Sequence, residues 1–419
     1  MFKTGGHQNY QVSVSGGGQN TQFYSSLSYT TQDGIIQNQG LERFTGNANL
    51  THTFKRLTVQ VTSQFSKMIQ KKTNEGTSYD GAVANYAFFQ SPSSTPYNED
   101  GSLNNGCGMF GVNPLYEFQH SSDRATIIKA FNTVKATYNI WDNLNLSEKI
   151  SYDYMTNTND VLWDRYSNNG GPGGVMQRII SKNEQLNTQT QLTYNKAFGE
   201  HNIDALLGFE TEDNKYAYNY LSGQDYPGDL YEFVNAGSTS AESSYQAYRL
   251  TSFLGRVNYD FGGKYYLSAS YRTDGSSRLA RDNRWGSFWS VSGAWRFTHE
   301  NFMESTKEVL TDGKLRLSYG VNGTQPSVYY GYMNLYKYGQ KYNGISGMGI
   351  IGIANPDLKW EKNKTFNVGL DLTFLSRFSL TFDYYQRKTS DLIYDLPVSQ
   401  VGGYYDSSYG YGERRCFEE

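Results

Sequence analysis

The sequence predicts an all-β protein, an antiparallel transmembrane β-barrel, on three observations. Apolar and polar residues alternate over runs of about ten residues, the length that a tilted strand needs to cross the hydrocarbon layer of a membrane. Between these runs, short turns alternate with long loops, as in membrane barrels whose two ends face different compartments. No stretch of the 419 residues approaches the roughly 18 consecutive apolar residues of a membrane-spanning helix. We therefore expect strands to cross the membrane.

Two segments show the alternation clearly. In residues 57–67, one face carries Leu57, Val59 and Val61, and the residues between them are Thr, Gln and Ser. Residues 366–374 repeat the pattern with Phe, Val and Leu at alternate positions. Because strand side chains alternate with period 2, each strand has one apolar face and one polar face. Polar faces rich in Ser, Thr, Asn and Gln suit a water-filled or plugged lumen, whereas a soluble sandwich or propeller remains the alternative.

The same pattern predicts the elements in chain order, about fourteen strands in all. The predicted strands are 9–17, 21–31, 41–53, 56–67, 126–139, 143–156, 181–197, 201–216, 245–260, 264–273, 285–297, 313–321, 361–374 and 377–388. Short turns are predicted at 16–18, 54–56, 141–143, 198–200 and 261–263, and four of the five contain Gly, Asp or Asn. The long connections are 68–125, 157–180, 217–244, 274–284 and 322–360. One connection, 299–311, breaks the rule because it lies on the short-turn side and carries the pattern of a short helix.

Composition and charge argue against several classes of function. The chain has 37 basic and 40 acidic residues, a net charge of −3, so we expect no nucleic-acid partner. The five histidines are scattered without the spacing of metal ligands. The two cysteines, Cys107 and Cys416, are far apart and indicate no disulfide framework. We expect no catalytic residues, no metal site, no cofactor and no enzymatic activity.

Aromatic residues are abundant, with 37 Tyr, 23 Phe and 6 Trp. Trp285, Trp289 and Trp295 fall on one strand face, which favours a membrane girdle where an apolar ring meets the headgroup layer. A second group lies in the long connections, where the membrane does not explain it. These candidate ligand-binding residues are Trp163, Tyr166, Tyr226, Tyr231, Tyr329, Tyr330 and Tyr332. Aromatic faces can stack on sugars or peptides, and packing of the loops against each other is the alternative for each residue.

Several stretches also carry a family resemblance. They are Gln8–Gly17, Gly255–Tyr259, Tyr271–Arg278, Lys314–Gly320, Asn355–Glu361 and Asp383–Tyr385. In these stretches, and in their order along the chain, the sequence resembles the SusC/RagA-type TonB-dependent outer-membrane transporters.

The resemblance implies a Gram-negative outer-membrane barrel of about 22 strands whose lumen holds an N-terminal plug. It also implies import of a bulky nutrient, a glycan oligosaccharide or a peptide. A SusD-like surface lipoprotein would cap the barrel, and TonB with ExbB and ExbD would supply energy through the plug. Outer-membrane lipid would surround the wall.

The chain departs from that family pattern at both ends. We expect residues 1–408 to be a partial barrel without the plug, and residues 409–419 to be an atypical tail from a frameshift or truncation. We also expect that such a chain alone does not transport. Two other functions stay open from the residues: a passive porin or surface adhesin barrel, and a soluble carbohydrate-binding β-protein.

Overall fold

The computed structural model describes residues 2–73, 91–106, 112–352, 354–395 and 414–417, and one large antiparallel sheet dominates it. Its strands are β1 Gly6–Gly17, β2 Thr21–Asp33, β3 Gly40–Phe54, β4 Leu57–Lys72, β5 Ser121–Trp141, β6 Leu144–Trp163, β7 Val175–Phe198, β8 His201–Gln224, β9 Ser238–Phe261, β10 Tyr265–Ser276, β11 Trp285–Trp295, β12 Leu310–Thr324, β15 Glu361–Phe374 and β16 Phe378–Ser390. Each strand pairs with its neighbours in this order, which makes fourteen strands in one sheet. The predicted all-β architecture, with about fourteen antiparallel strands, is confirmed.

Four short strands and one helix lie outside this sheet. They are the hairpin β13 Leu335–Tyr342 and β14 Ile345–Gly352, the pair β17 Leu392–Asp395 and β18 Arg414–Phe417, and the helix α1 Pro114–His120. Cys107 and residues 396–413 lie outside the described residues, so of the predicted tail only the strand 414–417 is described. In the described part of the chain, no helix has the length and hydrophobicity to cross a membrane.

The register keeps one apolar face continuous across the sheet. Leu267 stands opposite Tyr259 on β9 and Gly293 on β11, and the row continues through Leu317 to Val368. A shift of the register by one residue would move every side chain of a strand to the other face of the sheet. The observed register must therefore be kept at each strand pair. The apolar side chains of this outer face are largely exposed, as with Leu267 at 58%. We call this surface the outer face.

The opposite surface, the inner face, carries polar and charged side chains. Arg316 contacts Asp371 at 2.7 Å and Asp383 at 3.1 Å across three neighbouring strands. On β10, Arg272 contacts Asp274 at 2.7 Å and Glu210 at 2.9 Å. The two faces therefore differ as the walls of a barrel in lipid do, apolar outside and polar inside.

The strands are longer than the alternation predicted, and the extra length lies at the long-loop end. The loop predicted at 157–180 narrows to 164–174, and the one at 217–244 narrows to 225–237. Beyond the hydrocarbon layer both faces of a strand can be polar, so the alternation fades while the backbone ladder continues. One placement was therefore wrong: Trp163 is the last residue of β6 and does not lie in a loop.

Among the described residues, four connections contain helices. Two of them have a single 3₁₀ turn each, at Phe233–Asn235 and Arg281–Asn283. In the predicted exception on the short-turn side, 3₁₀ helices span Phe297–His299 and Asn301–Thr306, which agrees with the expected short helix. The helix α1 was not predicted, although its local signals are ordinary. Asn113 caps it by accepting a hydrogen bond from the Leu115 amide at 3.0 Å, and Pro114 occupies its first turn.

Candidate functional site

The long-loop end of the sheet gathers most of the predicted ligand-binding aromatics. Trp163 follows Val161 on the inner face of β6, and both line a cavity of about 550 Å³ together with Phe118 of α1. Lys72 and Asp123, whose charged groups lie 3.5 Å apart, border the same cavity. Most of the other lining residues are polar or charged, so the cavity offers hydrogen-bonding groups beside a few apolar side chains and suits a polar ligand. This cavity is the first part of the candidate site.

Helix α1 organises the loop that follows Trp163. The Glu117 side chain is fully buried and accepts hydrogen bonds from the Ser167 hydroxyl at 2.7 Å and from the Asn168 amide at 2.8 Å. Because a buried carboxylate is costly without partners, these bonds hold the loop against the helix. Glu117 is about fifty positions from Ser167 in the chain, and no local sequence signal indicated the contact.

Tyr166 stands at the tip of this arrangement and is 53% exposed. Its ring centroid lies 5.5 Å from that of His120, whose other ring neighbour is Tyr116 at 4.3 Å. His120 Nδ1 lies 2.8 Å from a carboxylate oxygen of Asp164. Burial raises the pKa of Tyr116 above its ordinary value, so its hydroxyl stays neutral. The result is a small aromatic platform whose open member is Tyr166.

Tyr226 and Tyr231 pack the neighbouring loop against Arg165. Tyr226 is only 2% exposed, and its ring meets that of Tyr231 edge-on at 5.1 Å. The Arg165 guanidinium donates to the Tyr226 carbonyl at 2.9 Å, and the Arg165 amide donates to the Tyr231 hydroxyl at 3.0 Å. Burial raises the pKa of Tyr226. In this arrangement the two tyrosines hold loops together.

A glycine makes room for this packing. Gly174 has φ of +84°, and a Cβ at this position would lie 2.7 Å from the Tyr231 ring. Both the backbone conformation and the close approach require glycine here. The Gly-rich stretch 170–174 therefore has a defined conformation. We call the long-loop end of the sheet, with the loops 164–174, 225–237 and 325–334, the mouth.

Arg278 holds Tyr329 on the other side of the mouth. Its guanidinium lies 3.8 Å from the Tyr248 ring centroid and 4.6 Å from that of Tyr329. The Tyr329 hydroxyl donates to Asn214 at 3.1 Å, and Arg278 donates to the Pro326 carbonyl at 2.8 Å. The two rings also meet each other edge-on at 5.3 Å, so the cation and both rings form one cluster stabilised by cation–π contacts.

Tyr330 is held by hydrogen bonds to the backbone of β9, and Tyr332 is partly buried. The Tyr330 hydroxyl accepts a hydrogen bond from the Ala247 amide at 3.0 Å and lies 3.3 Å from the Ala247 carbonyl. Of the seven predicted aromatics, Tyr166 is thus the most exposed, and four of the others have their polar atoms or rings engaged within the protein. Ligand contact by the group stays a prediction.

An apolar cluster includes two residues of the stretch Asn355–Glu361, on which the family resemblance partly rests. Leu279, Phe288, Leu358 and Trp360 are buried together at the long-loop end. The rings of Phe288 and Trp360 meet edge-on at 5.3 Å, and the Trp360 indole donates to the Arg284 carbonyl at 3.0 Å. The cluster explains why apolar residues recur in these loops, since they build the frame of the mouth.

The three predicted girdle tryptophans lie along the outer face at different heights. Trp295 pairs with Tyr265 near the short-turn end, whereas Trp285 pairs with Gly275 at the long-loop end. Trp289, 44% exposed, lies between them opposite Val321. The Trp295 indole donates to Glu300 at 3.2 Å. Their contact with lipid headgroups stays a prediction.

The inner wall near the short turns contains a second, larger cavity of about 840 Å³. Asp204, Lys314 and Arg316 line it, and the Lys314 ammonium lies 4.8 Å from the Tyr266 ring centroid. Across the described ranges, no three His, Cys, Asp or Glu side chains cluster in a way that could hold a metal ion. The wall offers paired charges and hydrogen-bonding groups, which suit contact with a polar surface.

The family model and the similar curated proteins indicate the same family for this chain. The family model for the TonB dependent receptor-like β-barrel matches residues 2–415. TonB-dependent receptor P3 of Formosa agariphila is 30% identical over 99% of this chain, and TonB-dependent receptor SusC of Bacteroides thetaiotaomicron is 28% identical over 95%. The chain spans 43% and 42% of those two relatives, less than half of each.

The fold has a close counterpart among solved structures. The structure of the RagAB peptide transporter superposes with a TM-score of 0.87 at 23% identity, over 100% of this chain and 47% of that one. The ferric enterobactin receptor PfeA of Pseudomonas aeruginosa reaches a TM-score of 0.59 at 12% identity, over 99% of this chain and 55% of that one. At these identities the likeness concerns the fold alone.

Proposed function

Because this chain belongs to the TonB-dependent receptor-like β-barrel family, of SusC/RagA type, we propose that it forms part of the wall of a nutrient importer. The barrel family resides in the outer membrane of Gram-negative bacteria. The outer face of the sheet contacts lipid there, and the inner face borders the transport path. The cargo is a bulky nutrient, a glycan oligosaccharide or a peptide.

The observation that carries the proposal is the built mouth at the long-loop end. Long loops of such barrels face the outside, where a nutrient is first met. Here they are held in shape by the buried Glu117, by Arg165 and by Arg278. The open Tyr166 and the cavity beside Trp163 remain available to a ligand. A passive pore has no need of such a mouth.

We further propose two partners. A SusD-like surface lipoprotein closes the mouth from outside, and TonB with ExbB and ExbD acts from inside through a plug domain in the lumen. The paired charges of the inner wall, such as Arg316 with Asp371 and Asp383, give a polar surface that a plug can contact and leave. In this scheme residues 1–408 are barrel wall and residues 409–419 are an atypical tail.

Deletion of the gene tests the function. Cells with and without the gene are grown on a panel of single oligosaccharides and peptide mixtures, and uptake of the fluorescently labelled form is measured. We expect loss of growth and uptake on at least one member, with restoration by the plasmid-borne gene. Unchanged uptake of every member would contradict the proposal.

The mouth can be tested separately in the complemented strain. Tyr166→Ala removes the open ring and should raise the concentration for half-maximal uptake about fivefold, since one aromatic stacking contact is worth about 1 kcal/mol. Tyr97→Ala is the matched control, because Tyr97 is 54% exposed in a different loop segment. Equal effects of both changes would remove Tyr166 from the ligand site. Recovery of a lipoprotein with the tagged protein from outer membranes checks the proposed lid.

A further inference from the structure

Basic residues on the outer face stand opposite each other without acids between them. Lys71 of β4 is directly opposite Arg124 of β5, and Lys364 of β15 is directly opposite Lys388 of β16. All four are exposed, and in the described ranges none has an acid within ion-pair distance. Like charges facing each other across two strands destabilise a sheet unless something neutralises them.

The first pair belongs to a longer row. Arg124 is opposite Asp160 of β6, which is opposite Arg178 of β7. In the other direction, Lys71 is opposite Gly40 of β3, which is opposite Asp33 of β2. The row therefore holds three bases and two acids, and both acids already have partners, since Arg178 binds Asp160 and Lys3 binds Asp33. Glu42, one rung away on β3, makes no ion pair in the described structure. The row keeps a surplus of positive charge.

Along their strands, these residues lie about as far from the short turns as the opposite boundary of the hydrocarbon layer. A strand crosses the hydrocarbon layer in about nine to eleven residues. Counted from Leu57 and Phe374 at the short-turn ends, Lys364 falls at that length and Lys71 beyond it. Just below Lys71 on the same face, Lys67 stands opposite Phe44, which is opposite Tyr29. An aromatic row below and exposed bases above is the order expected at a headgroup boundary.

We propose that Lys67, Lys71, Arg124, Lys364 and Lys388, here called the basic band, bind the phosphate groups of lipids in the outer leaflet. Lys and Arg side by side match a phosphate in charge and in hydrogen-bond donors. The acyl chains of the same lipid would lie on the apolar outer face below, which continues into the band through Ile69 and Ile128. This continuity favours an anionic lipid over a soluble anion or an acidic protein. Lys71 and Arg124 also border the cavity of about 550 Å³ that Trp163 lines, so bound lipid would lie beside the mouth.

The test uses the protein at the length its gene encodes, purified from outer membranes in detergent. Native mass spectrometry measures binding of diphosphoryl lipid A, of its dephosphorylated form and of inorganic phosphate. Replacing Lys71 and Arg124 together by Gln should weaken diphosphoryl lipid A binding roughly 10- to 30-fold, since each base near a lipid surface is worth about 1 kcal/mol. Lys364→Gln with Lys388→Gln should act in the same direction.

The matched control removes two bases near the short turns, by Lys196→Gln with Lys307→Gln, and should leave binding unchanged. Lys71→Arg with Arg124→Lys keeps the charge and should keep binding, which separates loss of charge from loss of folding. In the unaltered protein, binding should weaken as salt rises. Equal binding of the dephosphorylated lipid, equal losses in the control, or displacement of the lipid by inorganic phosphate at similar concentration would overturn the proposal.

Discussion

Arg278 illustrates how one side chain at the mouth connects segments distant in sequence. Its guanidinium contacts the rings of both Tyr248 and Tyr329 and donates to the carbonyl of Pro326. A guanidinium can contact an aromatic ring with its face and donate hydrogen bonds in its own plane at the same time, whereas an ammonium cannot. Arg278 thus connects the segment after β12 to the interior of β9.

Arg278→Ala should loosen that segment without unfolding the sheet. The loss of a desolvated cation–π contact is worth about 1–2 kcal/mol, so hydrogen exchange of the amides in 325–334 should accelerate about tenfold. Arg278→Lys should give an intermediate rate, and exchange in β5 should stay unchanged in both. Equal exchange in 325–334 for all three proteins would show that Arg278 does not hold the segment.

For single residues, the sequence predicted which aromatic side chains belong to the loop region but not whether each one is buried or open to a ligand. The aromatics of the long loops were identified by their place outside the strands. Whether such a ring is buried depends on distant partners: Tyr226 is covered through Arg165, and Tyr329 through Arg278 and Asn214. Single-sequence patterns carry no signal for such pairs. Arg165 and Arg278, which shape the mouth, were therefore missed as site residues.

Among the elements, β11 and β12 depend on small residues at the apolar cluster. A Cβ at Gly323 would lie 2.0 Å from the Phe288 ring, and one at Gly286 would lie 2.9 Å from Trp360. The two rings can pack edge-on only because these strands leave space. The cluster is thus a property of the elements together.

Gly323→Ala should displace Phe288 and destabilise the protein by about 1–3 kcal/mol, the usual cost of overpacking. Urea unfolding of the protein in lipid vesicles gives the change in the free energy of unfolding. Gly6→Ala is the control, since a Cβ there meets nothing within 4 Å. If both substitutions cost the same, the close approach to Phe288 is not what requires glycine.

The two faces of β12 offer a test of the membrane placement. Leu317 lies on the outer face and Ser318 on the inner face, next to each other in the chain. A lysine facing lipid near the middle of the bilayer costs about 2–4 kcal/mol, whereas one facing a lumen costs little. Leu317→Lys should therefore lower the free energy of unfolding in vesicles by that amount, and Ser318→Lys by less than 1 kcal/mol. A reversed order would mean that the faces are assigned the wrong way round.

The strands themselves were predictable wherever one face meets lipid. The alternation identified β15 with the correct ends and each of the other thirteen within the sheet. It failed at the long-loop ends of β6 to β9, because strands leaving the membrane need no apolar face there. The helix α1 was missed because its seven residues are too few to show a period.

Over the whole molecule, the pairing register of the strands is what gives the sheet one continuous apolar face and one polar face. Fourteen strands pair in chain order with their apolar residues in phase, and β1 and β16 form the two edges of the described sheet. Unpaired strand edges are not stable in a hydrocarbon layer, so these edges must meet further strands or each other. The family resemblance in the sequence led to the same architecture that the family model and the fold comparison support. The cargo could not be predicted from the strand pattern, because the loop aromatics that could contact it are positioned by residues distant in the chain, as Tyr226 is by Arg165.

The most direct test of the account is the initial rate of uptake of the identified nutrient in cells with and without functional TonB. The account predicts uptake at background level without TonB, while the amount of this protein in the outer membrane stays the same. Restoring TonB should restore uptake. Equal rates in both strains would contradict energised import and would favour a passive pore.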